Sequence, residues 1–110
     1  MPGSGSYCQK FSGSAFSSNV AVPTANFTLH GTPKSWSRIG LCSGKENVQF
    51  FCDECGSSLF SRPEAMPGTT LIKTGSLIDT DIKIMAELFV SRRRGYVGAV
   101  ESAKQATEML

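Results

Sequence analysis

Cys52 and Cys55, in the segment Cys52-Asp53-Glu54-Cys55-Gly56, have the spacing in this chain best suited to chemistry. Two thiolates so placed reach one tetrahedral zinc ion, with Zn–S distances of about 2.3 Å. The glycine after the second cysteine supplies the left-handed backbone that a tight metal turn needs. Phe50 and Phe51 before the pair, and Leu59 and Phe60 after it, would anchor two strands around the turn. A redox dithiol is the competing reading of C-x-x-C. Such motifs usually open a helix, whose N-terminus lowers the thiol pKa, whereas Gly56, Ser57 and Ser58 are poor helix openers. The zinc knuckle is the favoured reading, with free thiols and redox use behind it.

A knuckle supplies half of a structural site. Cys8 and Cys42 complete the count of 4 cysteines, and geometry does not forbid a site of four thiolates. Isolated cysteines are, however, commonly small buried hydrophobes. His30 ends an alternating stretch and reads as a surface or turn residue rather than a ligand.

The elements that must position these groups belong to a small domain. The chain has 110 residues, 11 basic and 9 acidic side chains, a net charge of +2 and 40% hydrophobic residues. No apolar run approaches the roughly 20 residues that span a bilayer, and the opening MPGSGSYCQK lacks the apolar stretch of a secretory signal. The expectation is therefore a cytoplasmic protein without a membrane partner. The charge is too balanced for a nucleic-acid binder, and the apolar content too high for a disordered chain. Domains of this size bury a modest core, so a metal staple or a partner subunit would help.

Residues 1–7 are Gly/Ser-rich and read as a flexible N-terminus, with the domain running over 8–110. Residues 8–18 read as a loop, 19–22 as a strand ended by Pro23, and 26–30 as a second alternating strand. Trp36 and Ile39 fall on a third, and a hairpin turn at 43–46 leads into 47–51. A loop at 63–68 precedes strands at 69–77 and 82–90, where Ile82, Ile84, Ala86, Leu88 and Val90 share one face. Residues 101–110 are good helix formers. Phe27, Trp36 and Phe50 read as core. Short strands with frequent turns predict a mainly β domain.

The ordered series C-Q-K-F-S-G-S-A-F at residues 8–16, V-A-V-P at 20–23, F-C-D-E-C-G-S-S-L-F at 51–60, P-G-T at 67–69, G-S-L at 75–77 and E-L-F-V-S-R-R at 87–93 resembles the glutathione-dependent formaldehyde-activating enzyme family. This family is also called the GFA or CENP-V domain. The resemblance runs from Cys8 to about Gln105. It implies a small twisted β-sheet fold with a zinc knuckle, shared with a Rab-binding chaperone. It also implies two zinc ions, one structural and one tied to the chemistry. That chemistry is addition of glutathione to formaldehyde, a carbon–sulfur lyase activity with a small thiol as partner.

Carried over position by position, Cys52 and Cys55 correspond to the second half of the structural site. Cys8 corresponds to the last cysteine of the C-x-C-x-x-C loop, whose other two positions hold Gly3 and Gly5 here. The early C-x-C pair would fall upstream of Met1, so the chain resembles a member shortened at the N-terminus. Cys42 corresponds to no metal position. Lys10, Ser12, Gly13 and Ser14 would border the active site and hold a thiol substrate or anionic group, against the plainer reading of a polar loop. Arg92, Arg93 and Arg94 read as a solvated strand end before an anion contact. The expected function is thus a zinc-binding carbon–sulfur lyase acting on a glutathione–formaldehyde adduct or related thiol conjugate. The alternative is a catalytically impaired zinc-binding or interaction module. Three outcomes follow for the metal: one zinc in a makeshift site using Cys42 or Cys8, none with β packing helped by a homodimer through uncovered strand edges, or ligands recruited from a second subunit.

Overall fold

Alternating apolar and polar residues on either side of the cysteine pair produce the central hairpin. The computed structural model describes residues 2–3, 6–39, 44–77, 86–88, 91 and 93–107. Cys42, Arg92, the 79–81 turn and most of the 82–90 strand lie outside the described residues. The chain divides into two units, Met1–Asn19 with Leu77–Leu110, and Val20–Ser76.

In the second unit, β3 (Lys34–Ile39), β4 (Glu46–Phe51), β5 (Ser58–Pro63) and β6 (Thr69–Lys73) follow one another. β2 (Ser17–Pro23) begins in the first unit and enters the second. The sheet order is β2-β6-β5-β4-β3, and β3–β4, β4–β5 and β5–β6 are antiparallel. This mainly β architecture agrees with the expected fold class.

Register decides which side chains meet. Phe50 of β4 lies opposite Phe60 of β5, and Val48 opposite Arg62. The Phe50 and Phe60 rings stack at 4.4 Å between centroids and 15°, and Phe27 closes on Phe60 at 4.7 Å and 55°. Phe60 is 3% exposed, and Ala86 and Pro63 are buried with it among the described residues. The polar buried positions are Ser17, Asn19, Gln49, Ser61, Thr70 and Lys73.

Several expectations are corrected. Residues 27–30 form no strand. Instead Thr24–Asn26 make a 3₁₀ turn, held by Thr24 N–H to Gly68 O at 2.8 Å and Phe27 N–H to Thr24 O at 3.0 Å. β6 stops at Lys73 and gives way to a 3₁₀ turn at Thr74–Ser76, where Ser76 Oγ donates to Ser58 O at 2.9 Å. Trp36 is 38% exposed because β3 is the sheet's edge strand, so it is not core.

In the first unit the expected loop after Cys8 is partly helical. Helix α1 (Ser6–Ser12) carries Cys8 and ends at Gly13, whose φ of +64° is the left-handed conformation common at helix C-termini. Ser14 N–H then bonds back to Gln9 O at 3.3 Å. β1 (Pro2–Gly3) pairs antiparallel with the start of β2. The expected C-terminal helix is absent at 101–107. There β8 (Lys104–Gln105) pairs parallel with β7 (Ala86–Glu87), because strand pairing outweighs the weak helix propensity of so short a segment. Among the described residues no helix is long and apolar enough to cross a membrane.

Replacing the stacked ring should be costly. Phe60→Ala is expected to lower unfolding stability by about 3–5 kcal/mol, measured by urea denaturation. A loss below about 1 kcal/mol, the level of a surface change, would contradict the central place of this ring.

Candidate functional site

The dithiol sits on the loop that joins β4 to β5. Residues 52–57 form this loop, closed at its base by Cys52 N–H to Ser57 O and by Gly56 N–H to Cys52 O, both 2.9 Å. Gly56 has φ +76°. A Cβ there would meet nothing within 4 Å, so the glycine is required by backbone conformation and not by space. A register shift between Phe50 and Phe51 lets β5 take up one extra residue just before the loop. Such bulges re-aim strand ends.

Both thiols are free, Cys52 half-buried and Cys55 exposed. Glu54 N–H donates to Cys52 Sγ at 3.4 Å, and Cys55 Sγ lies 3.1 Å from Ser57 Oγ. Hydrogen bonds from the Ser57 side chain, then its backbone, then Cys52 hold the Cys55 thiol below its ordinary pKa, against the opposing charge of Glu54. Donors aimed at sulfur favour the thiolate, the form that ligates metal. The pair lies between strands, not at a helix start, which removes the helix contribution a redox dithiol would use.

The residues present fit half of a zinc site. Cys52 and Cys55 would supply two thiolates, and the ion they hold would be structural. Among the described residues no three His, Cys, Asp or Glu side chains come together. The catalytic ion implied by the resemblance does not fit, since Gly3 and Gly5 offer no side-chain donor beside Cys8. His30 is exposed, as expected.

A separate groove of about 420 Å³ lies in the first unit. Lys10, Gly13 and Ser14 line it together with Gln9, Arg94 and Tyr96. Three of the four expected substrate-contact residues thus share one wall. Ser12 does not line the groove. Its hydroxyl lies 3.1 Å from Phe16 O and accepts Ser14 N–H at 3.2 Å, so it braces the turn that presents Gly13 and Ser14. The arginine run divides: Arg93 Nη2 donates to Gln105 Oε1, while Arg94 faces the groove. Tyr96, 82% exposed, carries no sequence signal that would have marked it.

The fold and these two features define a small antiparallel β-sheet protein with a dithiol hairpin loop and a cationic groove. Residues 5–92 match the family model described as "Glutathione-dependent formaldehyde-activating enzyme", and the chain belongs to this family. No curated protein matches the chain. Arg94 and Tyr96 lie beyond the matched residues.

Ser57→Ala in the zinc-free chain should raise the Cys55 pKa, because the thiolate loses its leading donor while the neutral thiol loses little. The midpoint of Cys55 alkylation against pH, followed by peptide mass mapping, should therefore move to higher pH. An unmoved midpoint would show that the hydroxyl does not support the thiolate.

Proposed function

We propose that this chain is a zinc-binding carbon–sulfur lyase that acts on a glutathione–formaldehyde adduct or a related thiol conjugate. Cys52, Cys55 and Cys8 are the inherited metal donors in this reading, and Lys10, Ser12, Gly13 and Ser14 the substrate side. The grouping of Lys10, Gly13 and Ser14 with Arg94 around one groove is the observation that supports it. Glutathione carries two carboxylates, and paired cations of this kind neutralise such groups.

The reaction needs little from the protein. In the adduct, the hydroxyl proton leaves as the carbon–oxygen double bond forms. The carbon–sulfur bond breaks, and the departing thiolate takes up a proton to give the free thiol. Lys10 and Arg94 orient the carboxylates and favour negative charge on the leaving sulfur, while Gly13 and Ser14 offer backbone N–H groups. Zinc held at the dithiol loop would serve the fold, and no step is routed through it. The free thiols suit a reducing, cytoplasmic setting. The exposed edge strand β3 is the proposed homodimer surface.

A second reading has its own support. Glycines at positions 3 and 5 remove two donors of the chemical loop, which favours a zinc-binding or interaction module without turnover.

Elemental analysis combined with isotope-exchange NMR of glutathione and formaldehyde separates the two. The enzyme reading expects catalysed exchange, with Lys10→Ala and Arg94→Ala each raising KM about two- to fivefold, the range of solvent-screened ion pairs. Zinc bound near one ion per chain with no catalysed exchange would establish the module instead. Zinc lost from Cys52→Ser and Cys55→Ser alike would assign the ion to the dithiol loop.

A further inference from the structure

A second groove, in the Val20–Ser76 unit, is built around one guanidinium. Val48 and Arg62 are opposite one another across β4 and β5, and the next pair along the same face is Glu46 and Glu64. Pro63, Met66 and Pro67 supply further apolar wall, and the space is about 490 Å³. Its far side is held in place by Thr24, whose N–H bonds to Gly68 O at 2.8 Å and whose hydroxyl is 2.8 Å from Thr70 Oγ1.

Arg62 is half-buried and held from two directions. Its Cζ sits 5.2 Å from the Phe60 centroid, 5.4 Å from Phe27 and 5.7 Å from Phe50. Its Nε donates to Thr70 Oγ1 at 3.3 Å. Three rings thus replace water around the cation and fix the guanidinium, and attraction between cation and ring offsets part of the lost hydration. Among the described residues no carboxylate pairs with it. Glu64 Oε2 instead accepts the N–H of Glu46 at 3.2 Å. A partly desolvated, immobilised guanidinium whose terminal nitrogens bond none of the described residues is arranged to take a planar acid.

We infer that this groove binds a small monocarboxylate with an apolar body, its carboxylate on Arg62 and its body along Val48, Met66 and Pro67. One cation flanked by two carboxylates favours a singly charged acid over a phosphate dianion, because the second negative charge would face Glu46 and Glu64 without compensation. The site is independent of the groove at Lys10 and of the proposed lyase reaction.

Phenylacetate is a suitable probe, titrated into the full chain and followed by NMR. The expected result is saturable shifts at Arg62 Nε–H and at the Val48 and Met66 methyl groups. The near-isosteric phenylacetamide should bind at least about tenfold more weakly, since it lacks the charge that the guanidinium recognises. Inorganic phosphate at equal concentration should move none of these signals. Arg62→Lys should weaken phenylacetate binding by a similar factor. Because that change also loosens the ring cluster, Met66→Asp provides a second test: a carboxylate placed in the groove wall should abolish binding while leaving the melting temperature near wild type. Equal shifts with the amide, shifts with phosphate, or binding that survives both substitutions would overturn the inference. A purely structural clamp would show no probe binding at all.

Discussion

Phe60, stacked on Phe50 and tilted against Phe27, is the contact from which the rest of the Val20–Ser76 unit takes its geometry. Aromatic pairs prefer offset or tilted arrangements, and their energy depends on ring placement more than simple burial does. A one-residue slip between β4 and β5 would turn Phe50 away from Phe60 and move every side chain to the opposite face. The stack therefore pins the register. Register in turn determines where β4 ends, where β5 begins, and how the six-residue loop carrying Cys52 and Cys55 is closed. The same rings hold Arg62 over the groove beside Val48.

The two ends of this hairpin carry different chemistry. At the loop end, donors are directed at sulfur: Glu54 N–H to Cys52, and Ser57 to Cys55. The Ser57 bonds favour the Cys55 thiolate, so a ligand of that sulfur would meet a lower deprotonation cost. On the face of the hairpin, a cation is partly stripped of water and surrounded by three aromatic rings. Membership of the glutathione-dependent formaldehyde-activating family accords with the first arrangement, a paired-thiol loop. It gives no account of the second. The polar character of the buried set, with Ser61, Thr70 and Gln49 inside, also departs from the apolar interior that strand alternation suggests. Hydroxyl pairs such as Thr24 with Thr70 satisfy part of it.

The hairpin was legible because its signals are local. The strand runs at 47–51 and 59–60 and the C-x-x-C-G turn act within a few residues, and two paired strands joined by a tight turn are found there. Misreadings fell where distant contacts decide. Residues 26–30 alternate like a strand, yet the Thr24 turn and the docking of Phe27 on Phe60 take them out of any sheet. Residues 101–107 have helix-forming composition, yet Lys104 and Gln105 pair with Ala86 and Glu87. Lys10, Gly13 and Ser14 could be singled out from the family motif, whereas Arg94 and Tyr96 join them only through folding, some 80 residues along the chain.

From its sequence alone this protein is a small mainly β member of a glutathione-linked family, with a pair of cysteines on a hairpin turn. These properties depend on residue identity and short-range spacing. Tertiary structure decided which hydroxyl supports Cys55, that Arg94 joins Lys10 at a groove, and that Arg62 rests on three rings with no carboxylate paired to it among the described residues. Such facts depend on register and on pairing between residues far apart in sequence, where side-chain chemistry carries no information about who its neighbour will be.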